Sequence, residues 1–253
     1  MLEKKSKCMD LNRIEFVITY ACTGRCKHCS EGDHMGAGTY INAEIAAQMV
    51  REAAGQYPIT SVMTFGGEPL LYPEVVFAVH RAAMLMNVPG RQLITNGFFS
   101  KDSEKIRSVA ENLAECGVND ILLSVDAFHQ ETIPLEPVRE FAAKLKQLDV
   151  NLRVHPAWLV GREHDNPYNR RTSEILAEFQ AMGISPSSGN VILPRGNALK
   201  YLGDYYDLSK EYFSPYEEDP ANIHTICVAP NGDVLNGNIY TANILEILEK
   251  YAP

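Results

Sequence analysis

The sequence predicts an α/β fold, a partial (β/α)6 barrel with a small C-terminal appendage made of a hairpin and a helix. Short runs of β-forming apolar residues alternate with longer runs of helical periodicity from about residue 13 to about residue 200. The chain has 253 residues, of which 45% are hydrophobic and 22% charged. This composition suffices for a full core, and α/β barrels of about 250 residues commonly form a single domain. We therefore expect one domain with an appendage.

Six strands alternate with helices along the core. The strands are predicted at residues 13–19, 59–65, 92–95, 121–125, 151–160 and 190–193. The intervening helices are predicted at residues 42–57, 73–88, 102–116, 136–148 and 172–182. Asn42 is a suitable N-cap for the first helix, and Gly117 supplies the residue that closes the third. The repeated strand–helix order implies a parallel sheet, because parallel neighbours need a crossover connection.

The two ends of the chain differ from this pattern. The predicted division is an N-terminal extension at 1–12, a core barrel at 13–200 and a tail at 201–253. Residues 201–222 are rich in Tyr, Asp, Glu and Pro, which indicates an irregular and partly exposed segment. Runs at 226–228 and 234–236 flank the turn sequence Pro-Asn-Gly-Asp and predict a hairpin, and residues 243–251 predict a final helix.

Charge and hydropathy exclude several classes of protein. The chain carries 23 Lys and Arg against 32 Asp and Glu, a net charge of −9, and phosphate contacts to nucleic acid need the opposite excess. The most apolar run, residues 75–88, is interrupted by His80 and Arg81 and is shorter than the roughly 18 residues of a membrane span. No apolar stretch follows the lysines of residues 1–12, so we expect no secretory signal and a cytoplasmic protein with reduced thiols.

Three of the six cysteines lie within eight residues, in the connection after the first strand. Cys22, Cys26 and Cys29 form a CxxxCxxC pattern at the carboxyl end of that strand, where α/β proteins place their chemistry. The spacing lets a tight loop wrap three thiolates around one inorganic cluster, with Gly24 allowing the bend. The alternative is a structural zinc site, which needs a fourth ligand such as His28 or a residue further on, His34.

Glycines and polar residues follow the next three strands. The motifs are Gly66-Gly67-Glu68-Pro69, Thr95-Asn96-Gly97 and Ser124-Val125-Asp126. The two adjacent glycines permit close approach of a ligand to the backbone, and the carbonyls and carboxylate of the first motif can accept hydrogen bonds from an ammonium group. In isolation the three motifs have plainer interpretations, as a glycine turn, an Asn-Gly turn and a helix cap.

Together the cysteine loop and these motifs resemble the radical S-adenosylmethionine (radical SAM) superfamily. The resemblance implies a partial TIM-type barrel in which Cys22, Cys26 and Cys29 ligate a [4Fe-4S] cluster with one open iron. It further implies that this iron binds S-adenosylmethionine, and that one electron cleaves the cofactor to a 5′-deoxyadenosyl radical that takes a hydrogen atom from the substrate. An external electron donor such as flavodoxin or ferredoxin is implied as a partner.

The resemblance also implies which residues bind S-adenosylmethionine. The set is His28, Gly66, Gly67, Glu68, Pro69, Asn96, Ser124, Asp126 and Arg139. The four consecutive residues hold the amino group of the cofactor, His28 takes the usually aromatic place beside the adenine, and Ser124 and Asp126 face the ribose and the carboxylate. Arg139 suits a bidentate pair with that carboxylate, and a solvated surface arginine is the alternative.

Two residues are candidates for contact with the substrate. His129 lies in the loop after the fourth strand and is expected to face the pocket; a loop histidine without a role is the alternative. Cys227 matches the lone cysteine that returns a hydrogen atom in radical epimerases; an inert strand cysteine is the alternative. Cys116 is interpreted as a buried apolar residue, and Cys8 is assigned no role.

The tail resembles part of the SPASM appendage of peptide-modifying relatives. Gly237 stands where that pattern has a cysteine, and no cysteine follows Cys227, so we expect no auxiliary cluster. Residues 194–198 resemble the P-x-G-R-A element, with Asn197 in place of its arginine. The tail favours a peptide substrate, modified or epimerised, and a small metabolite is the alternative. The competing hypotheses from another class are a non-enzymatic metal-cluster scaffold and a redox sensor.

Overall fold

The structure, a computed structural model, describes residues 9–30, 32 and 38–253. Its strands are β1 (Met9–Val17), β2 (Ser61–Phe65), β3 (Gly90–Thr95), β4 (Asp120–Leu123), β5 (Asn151–Val154), β6 (Ala157–Leu159), β7 (Asn190–Ile192), β8 (Ile223–Val228), β9 (Asp233–Val234) and β10 (Gly237–Asn238). Its helices are α1 (Ala43–Gln56), α2 (Pro73–Leu85), α3 (Ser103–Glu115), α4 (Ala127–Gln130), α5 (Leu135–Gln147), α6 (Pro167–Ala181), α7 (Gly196–Leu202) and α8 (Ile244–Lys250).

The main sheet has six strands in the order β5-β4-β3-β2-β1-β8, and all its neighbouring strands are parallel. After each strand the chain must run back to the other end of the sheet before it can form a parallel neighbour. Each of the first four of these crossovers contains at least one helix. Asn42 caps α1 as predicted, accepting hydrogen bonds from the backbone of the first turn. The α/β class and the parallel sheet are therefore confirmed.

Side chains alternate between the two faces of this sheet. Ile14 and Phe16 of β1 are fully buried in the core that the strands share with the helices. Arg13 and Glu15 alternate with them and pair with each other on the opposite face, which we call the inner face. The register of β8 places Cys227 level with Glu15 on that face.

The predicted fifth strand is two strands. β5 continues the main sheet, whereas β6 pairs in parallel with β7 in a separate two-stranded sheet. Pro156 lies at the break and has no N–H to offer a neighbouring strand. The N–H of Ala157 donates instead to the Asp126 carboxylate at 3.0 Å. The prediction of one continuous strand at 151–160 is therefore wrong.

The appendage contains a hairpin and a helix, but not the hairpin predicted at 226–228 and 234–236. β8 pairs in parallel with β1, with Ile226 opposite Ile14, and becomes the sixth strand of the main sheet. The hairpin joins β9 to β10 through Leu235, which has a φ of 52°. The tail therefore contributes an edge strand to the barrel as well as its outer layer.

The start of β1 also differs from the predicted division. β1 begins at Met9, so residues 9–12 of the expected extension form part of the sheet, and Cys8 lies outside the described residues. The irregular segment expected at 201–222 contains one short 3₁₀ turn. In the part of the chain that the structure describes, no helix is long and apolar enough to cross a membrane.

Candidate active site

The three clustered cysteines line one cavity of about 240 Å³ at the carboxyl ends of β1, β2 and β3. Cys22, Cys26 and Cys29 all lie in the loop after β1, and the N–H of Cys29 donates to the carbonyl of Cys26 at 3.2 Å. A Cβ on Gly24 would lie 3.2 Å from the Cys26 sulfur and 3.1 Å from Ile133. A larger residue at this position would therefore crowd the Cys26 thiol and the Ile133 side chain, although the backbone of Gly24 is not left-handed.

Burial makes two thiols of this loop harder to ionise in the absence of a metal centre. Burial raises the pKa of Cys22 to about 11 and raises the pKa of Cys26 still further. Cysteine binds metal as the thiolate, so three thiolates in one cavity need a cationic centre to balance their charge. Among the described residues no fourth cysteine lies with these three, and three sulfur donors suit a cluster with one open iron. Of the two proposed zinc ligands, His34 lies outside the described residues.

The two adjacent glycines after β2 are required by a close crossing of the chain. A Cβ on Gly67 would lie 2.1 Å from the carbonyl oxygen of Ala21, and one on Gly66, whose φ is 140°, would lie 2.6 Å from that of Thr19. The N–H of Gly67 donates to the carbonyl of Thr19 at 2.8 Å. These contacts hold the start of the cysteine loop against the end of β2, and both glycines line the cavity.

The carboxylate of Glu68 points into the protein and does not line the cavity, and its predicted contact with the cofactor stays a prediction. It is fully buried and accepts hydrogen bonds from the Thr95 hydroxyl at 2.7 Å, the Asn96 N–H at 2.8 Å and the Leu70 N–H at 2.9 Å. Burial raises its pKa to about 7, although these bonds act in the opposite direction. Pro69 is also buried, as the first residue of a short 3₁₀ helix. Glu68 therefore joins the end of β2 to the end of β3.

Two predicted residues from the next strand ends do reach the cavity. The side-chain amide of Asn96 lies 3.5 Å from the sulfur of Cys22 and 3.2 Å from the hydroxyl of Thr23. Ser124 follows β4, and its N–H donates to the carbonyl of Thr95 at 2.8 Å. Both side chains line the cavity beside the cysteines. The parallel sheet brings them together because neighbouring strands end at the same edge.

Asp126 supports the site from behind and does not face the cavity with a free oxygen. One carboxylate oxygen accepts from the N–H groups of Phe128 and His129 and caps α4. The other accepts from the ring Nδ1 of His129 at 2.9 Å and from the N–H of Ala157 at 3.0 Å. Burial opposes the negative charge, but His129 holds the pKa of the carboxyl well below its ordinary value. The contact of Asp126 with the cofactor stays a prediction.

His28 and His129 lie together where this cavity meets a second, larger one. Their ring centroids are 4.8 Å apart, and His28 also contacts Phe128 at 5.1 Å. Burial lowers the pKa of His28 to about 4, so its ring is neutral at pH 7. The ring of His129 lies against both cavities.

The larger cavity has a volume of about 750 Å³ and opens over β6 and β7. Its floor and inner wall include Ile94, Ser124 and His155. Its outer wall is formed by residues 213–216 of the tail, where the hydroxyl of Tyr216 donates to the side-chain oxygen of Asn190 at 2.7 Å. The two cavities share Ser124 and the two histidines, so they form one continuous site.

Two predicted residues lie away from both cavities. Arg139 is on α5, where its guanidinium pairs with Glu178 of α6 and lies 3.7 Å from Glu136. The helix directs it across the outer layer rather than toward the strand ends. Cys227 is exposed on the inner face and is not among the residues lining either cavity. Cys116 is fully buried, as predicted.

Sequence reasoning missed several residues of the larger cavity. His155 and Asn190 border irregular connections, and Phe213 and Tyr216 belong to a tail segment with no periodic pattern. Arg195 stands next to the glycine of the P-x-G-R-A-like element, which was the single signal for this region. Their assembly depends on how the tail folds back over β7, and no local pattern encodes that.

The chain matches known proteins along most of its length. A family profile described as the radical SAM superfamily matches residues 16–208, more than half of the chain. The GTP 3′,8-cyclase of Moorella thermoacetica is 28% identical over 225 residues, which cover 88% of this chain and 57% of that protein. The chain therefore spans less than two thirds of the length of this relative.

Solved structures share the fold at low sequence identity. Streptococcus suis SuiB bound to S-adenosylmethionine has a TM-score of 0.64 and 14% identity, over 96% of this chain and 66% of that chain. The protein anSMEcpe with bound AdoMet has a TM-score of 0.60 and 14% identity, over 95% of this chain and 80% of that chain. These likenesses confirm the predicted partial barrel.

Proposed function

The chain belongs to the radical SAM superfamily of enzymes, and from that premise we propose that it cleaves S-adenosylmethionine reductively and takes a hydrogen atom from a substrate. The observation that carries this proposal is that Cys22, Cys26 and Cys29 share one cavity with Gly67 and Asn96. A zinc scaffold needs no ligand-sized space beside its thiols, whereas cofactor chemistry does.

In this proposal the three cysteines hold a [4Fe-4S] cluster and leave one iron open. The bound cluster and S-adenosylmethionine supply the 5′-deoxyadenosyl radical, after one electron arrives from an external donor such as flavodoxin or ferredoxin. The protein contributes binding and orientation. Gly66 and Gly67 give the cofactor access to the strand-end backbone, and the side chains of Asn96 and Ser124 border the same space.

His28 and His129 have different roles in the proposal. The neutral ring of His28, packed against Phe128, offers a flat surface for the adenine. His129 stands at the junction of the two cavities and contacts the substrate, while Asp126 fixes its ring. Glu68 acts from behind the cavity by holding the ends of β2 and β3 together. Arg139 has no part in binding.

The larger cavity is the proposed substrate site. We place a peptide there, because two proteins of this fold have been solved with peptides: SuiB bound to precursor peptide SuiA, and anSMEcpe with bound Cp18Cys peptide. The alternative is a small metabolite, which the similarity to GTP 3′,8-cyclases favours. A cavity of about 750 Å³ has room for a side chain with its flanking backbone.

Formation of 5′-deoxyadenosine tests the proposal. Anaerobically reconstituted, chemically reduced protein is given S-adenosylmethionine without substrate and compared with Cys26→Ala and Cys116→Ala. We expect slow cleavage in the wild type and in Cys116→Ala, whose cysteine lies in the core, and none in Cys26→Ala. Silence of all three proteins despite a loaded cluster would favour the scaffold or the redox sensor.

Epimerisation is a second candidate, which rests on the resemblance of Cys227 to the lone cysteine of radical epimerases, because this residue lies outside both cavities. This residue is exposed on the inner face of the barrel, beside Glu15 and below the strand ends. We expect Cys227→Ser to leave cofactor cleavage intact and to block the return of a hydrogen atom to the substrate carbon. An unchanged yield of product, measured by mass spectrometry in deuterated solvent, would remove this candidate.

A further inference from the structure

The larger cavity has one cation and one carboxylate among its described lining residues, and the carboxylate is held by hydrogen bonds within the protein. Arg195 is its single Lys or Arg, and Asp126 is its single carboxylate. Both oxygens of Asp126 are already used by three N–H groups of the backbone and by the ring of His129. The wall therefore has no excess of acidic groups, unlike the chain as a whole, whose net charge is −9.

Three further polar side chains of the wall, those of His155, Tyr216 and Asn190, are neutral at pH 7. Burial and the neighbouring Arg153 lower the pKa of His155, and its Nδ1 lies 2.8 Å from the hydroxyl of Ser187. The hydroxyl of Tyr216 and the amide of Asn190 bond to each other at the outer rim. These groups can donate hydrogen bonds to a ligand without adding charge. Arg195 therefore favours an anionic ligand over a neutral or cationic one in this cavity.

Arg195 already has an anionic partner that a ligand can replace. Its guanidinium pairs with the Glu217 carboxylate at 2.9 Å, and the two side chains are 50% and 57% exposed. Exposed ion pairs contribute little to stability, so exchanging Glu217 for another carboxylate or phosphate costs little. The bond between Tyr216 and Asn190 would keep the outer wall in place while Glu217 moves.

We propose that Arg195 binds an anionic group of the substrate, a carboxylate or a phosphate, and that Glu217 is the internal anion displaced by it. This inference rests on the proposed function, because it assigns the substrate class of that site. The guanidinium offers two parallel N–H donors, which match the two oxygens of either group. Arg195 lines the larger cavity, the proposed substrate site, and not the cavity of the cysteines, which favours an anion of the substrate over one of S-adenosylmethionine.

The test uses reconstituted holoenzyme and three probes that fit between the aromatic rings of the outer wall. These are 3-phenylpropionate, phenyl phosphate and the neutral 3-phenylpropanamide, titrated by calorimetry in the presence of S-adenosylmethionine. We expect one or both anions to bind more tightly than the amide, and the stronger of the two identifies the group. Arg195→Gln should weaken that binding about tenfold.

Glu217→Gln gives the decisive result, because the proposal predicts that it changes the anion affinity in the direction opposite to Arg195→Gln. Removal of the competing carboxylate should tighten anion binding about threefold. Arg171→Gln, which removes a similarly exposed arginine paired with Glu174, is the matched control and should change nothing. Equal weakening in Arg195→Gln and Glu217→Gln would show a purely structural latch and overturn the proposal.

Three other results would also overturn it: no anion binding by the wild type, no preference for the anions over the amide, or an equal loss of S-adenosylmethionine affinity in Arg195→Gln. Cofactor cleavage by the wild type separates this failure from failure of the proposed function. If the wild type forms 5′-deoxyadenosine and the anion results fail, the substrate assignment alone is wrong.

Discussion

At the scale of single residues, Asp126 shows how a buried carboxylate can organise a site without touching its ligands. It caps α4, holds the start of β6 and fixes the ring of His129. We expect Asp126→Asn to lower the rate of 5′-deoxyadenosine formation about tenfold, equivalent to about 1.4 kcal/mol, because an amide cannot accept all four hydrogen bonds. Iron bound per chain should remain unchanged, and both quantities are measured on reconstituted protein.

Asp102→Asn is the matched control for that variant. Asp102 caps α3 in the same way, accepting from the N–H groups of Glu104 and Lys105, but it lies on an exposed surface away from the cavities. Its substitution should leave the rate of cleavage unchanged. Equal losses in the two variants would mean that Asp126 matters for folding alone.

Glu68 gives a second residue-scale prediction, which concerns pH. Its pKa rises from an ordinary 4.5 to about 7 in the folded chain, so the folded state holds an extra proton between these values. The free energy of unfolding should therefore fall as the pH rises from about 4.5 to about 7, by about 3 kcal/mol in total. Glu68→Gln should lack this dependence, since it has no proton to lose.

Urea unfolding of metal-free protein at several pH values measures the effect. The difference between wild type and Glu68→Gln is the quantity to follow, because the buried His28 and His80 also titrate. The pKa of each is lowered by burial, so both contribute the opposite trend below about pH 6.5. A difference that stays constant from pH 5 to pH 8 would show that Glu68 is ionised throughout.

At the scale of elements, the contact between the cysteine loop and the end of β2 depends on Gly67. A methyl group there would meet the backbone oxygen of Ala21 at 2.1 Å, and backbone atoms cannot move aside as a flexible side chain can. We expect Gly67→Ala to lower the free energy of unfolding by about 1–3 kcal/mol and to prevent cluster loading, measured by bound iron and visible absorbance. Gly161→Ala is the control, because nothing lies within 4 Å of its Cβ. Full cluster loading of Gly67→Ala would contradict the close contact between the cysteine loop and the end of β2.

At the scale of the whole molecule, local patterns predicted most elements of the core but not how all of them pair. The cysteine spacing and the strand-end motifs predicted the residues that line the smaller cavity, because a parallel sheet brings consecutive strand ends together. The sequence did not predict the direction of individual side chains. Glu68 and Arg139 both turn away from the cavity, toward partners on other elements. The path of the tail was equally hidden, since β8 finds its partner in β1, more than 200 residues earlier.

The pairing of β8 with β1 implies that the tail cannot be removed without loss of the core. Ile223, Ile226 and Val228 are buried in the main core cluster, and each contributes about 1.5–3 kcal/mol. Truncation after residue 208, where the family match ends, should therefore remove much of the free energy of unfolding, which is about 5–15 kcal/mol for a typical domain. It should also expose the edge of β1. We expect the shortened chain to lose its cooperative urea transition, followed by circular dichroism. Removal of only the exposed residues 252–253 should leave the midpoint unchanged. If the chain of residues 1–208 unfolds with the midpoint of the full chain, the tail is a dispensable appendage and β8 adds nothing to the stability of the barrel.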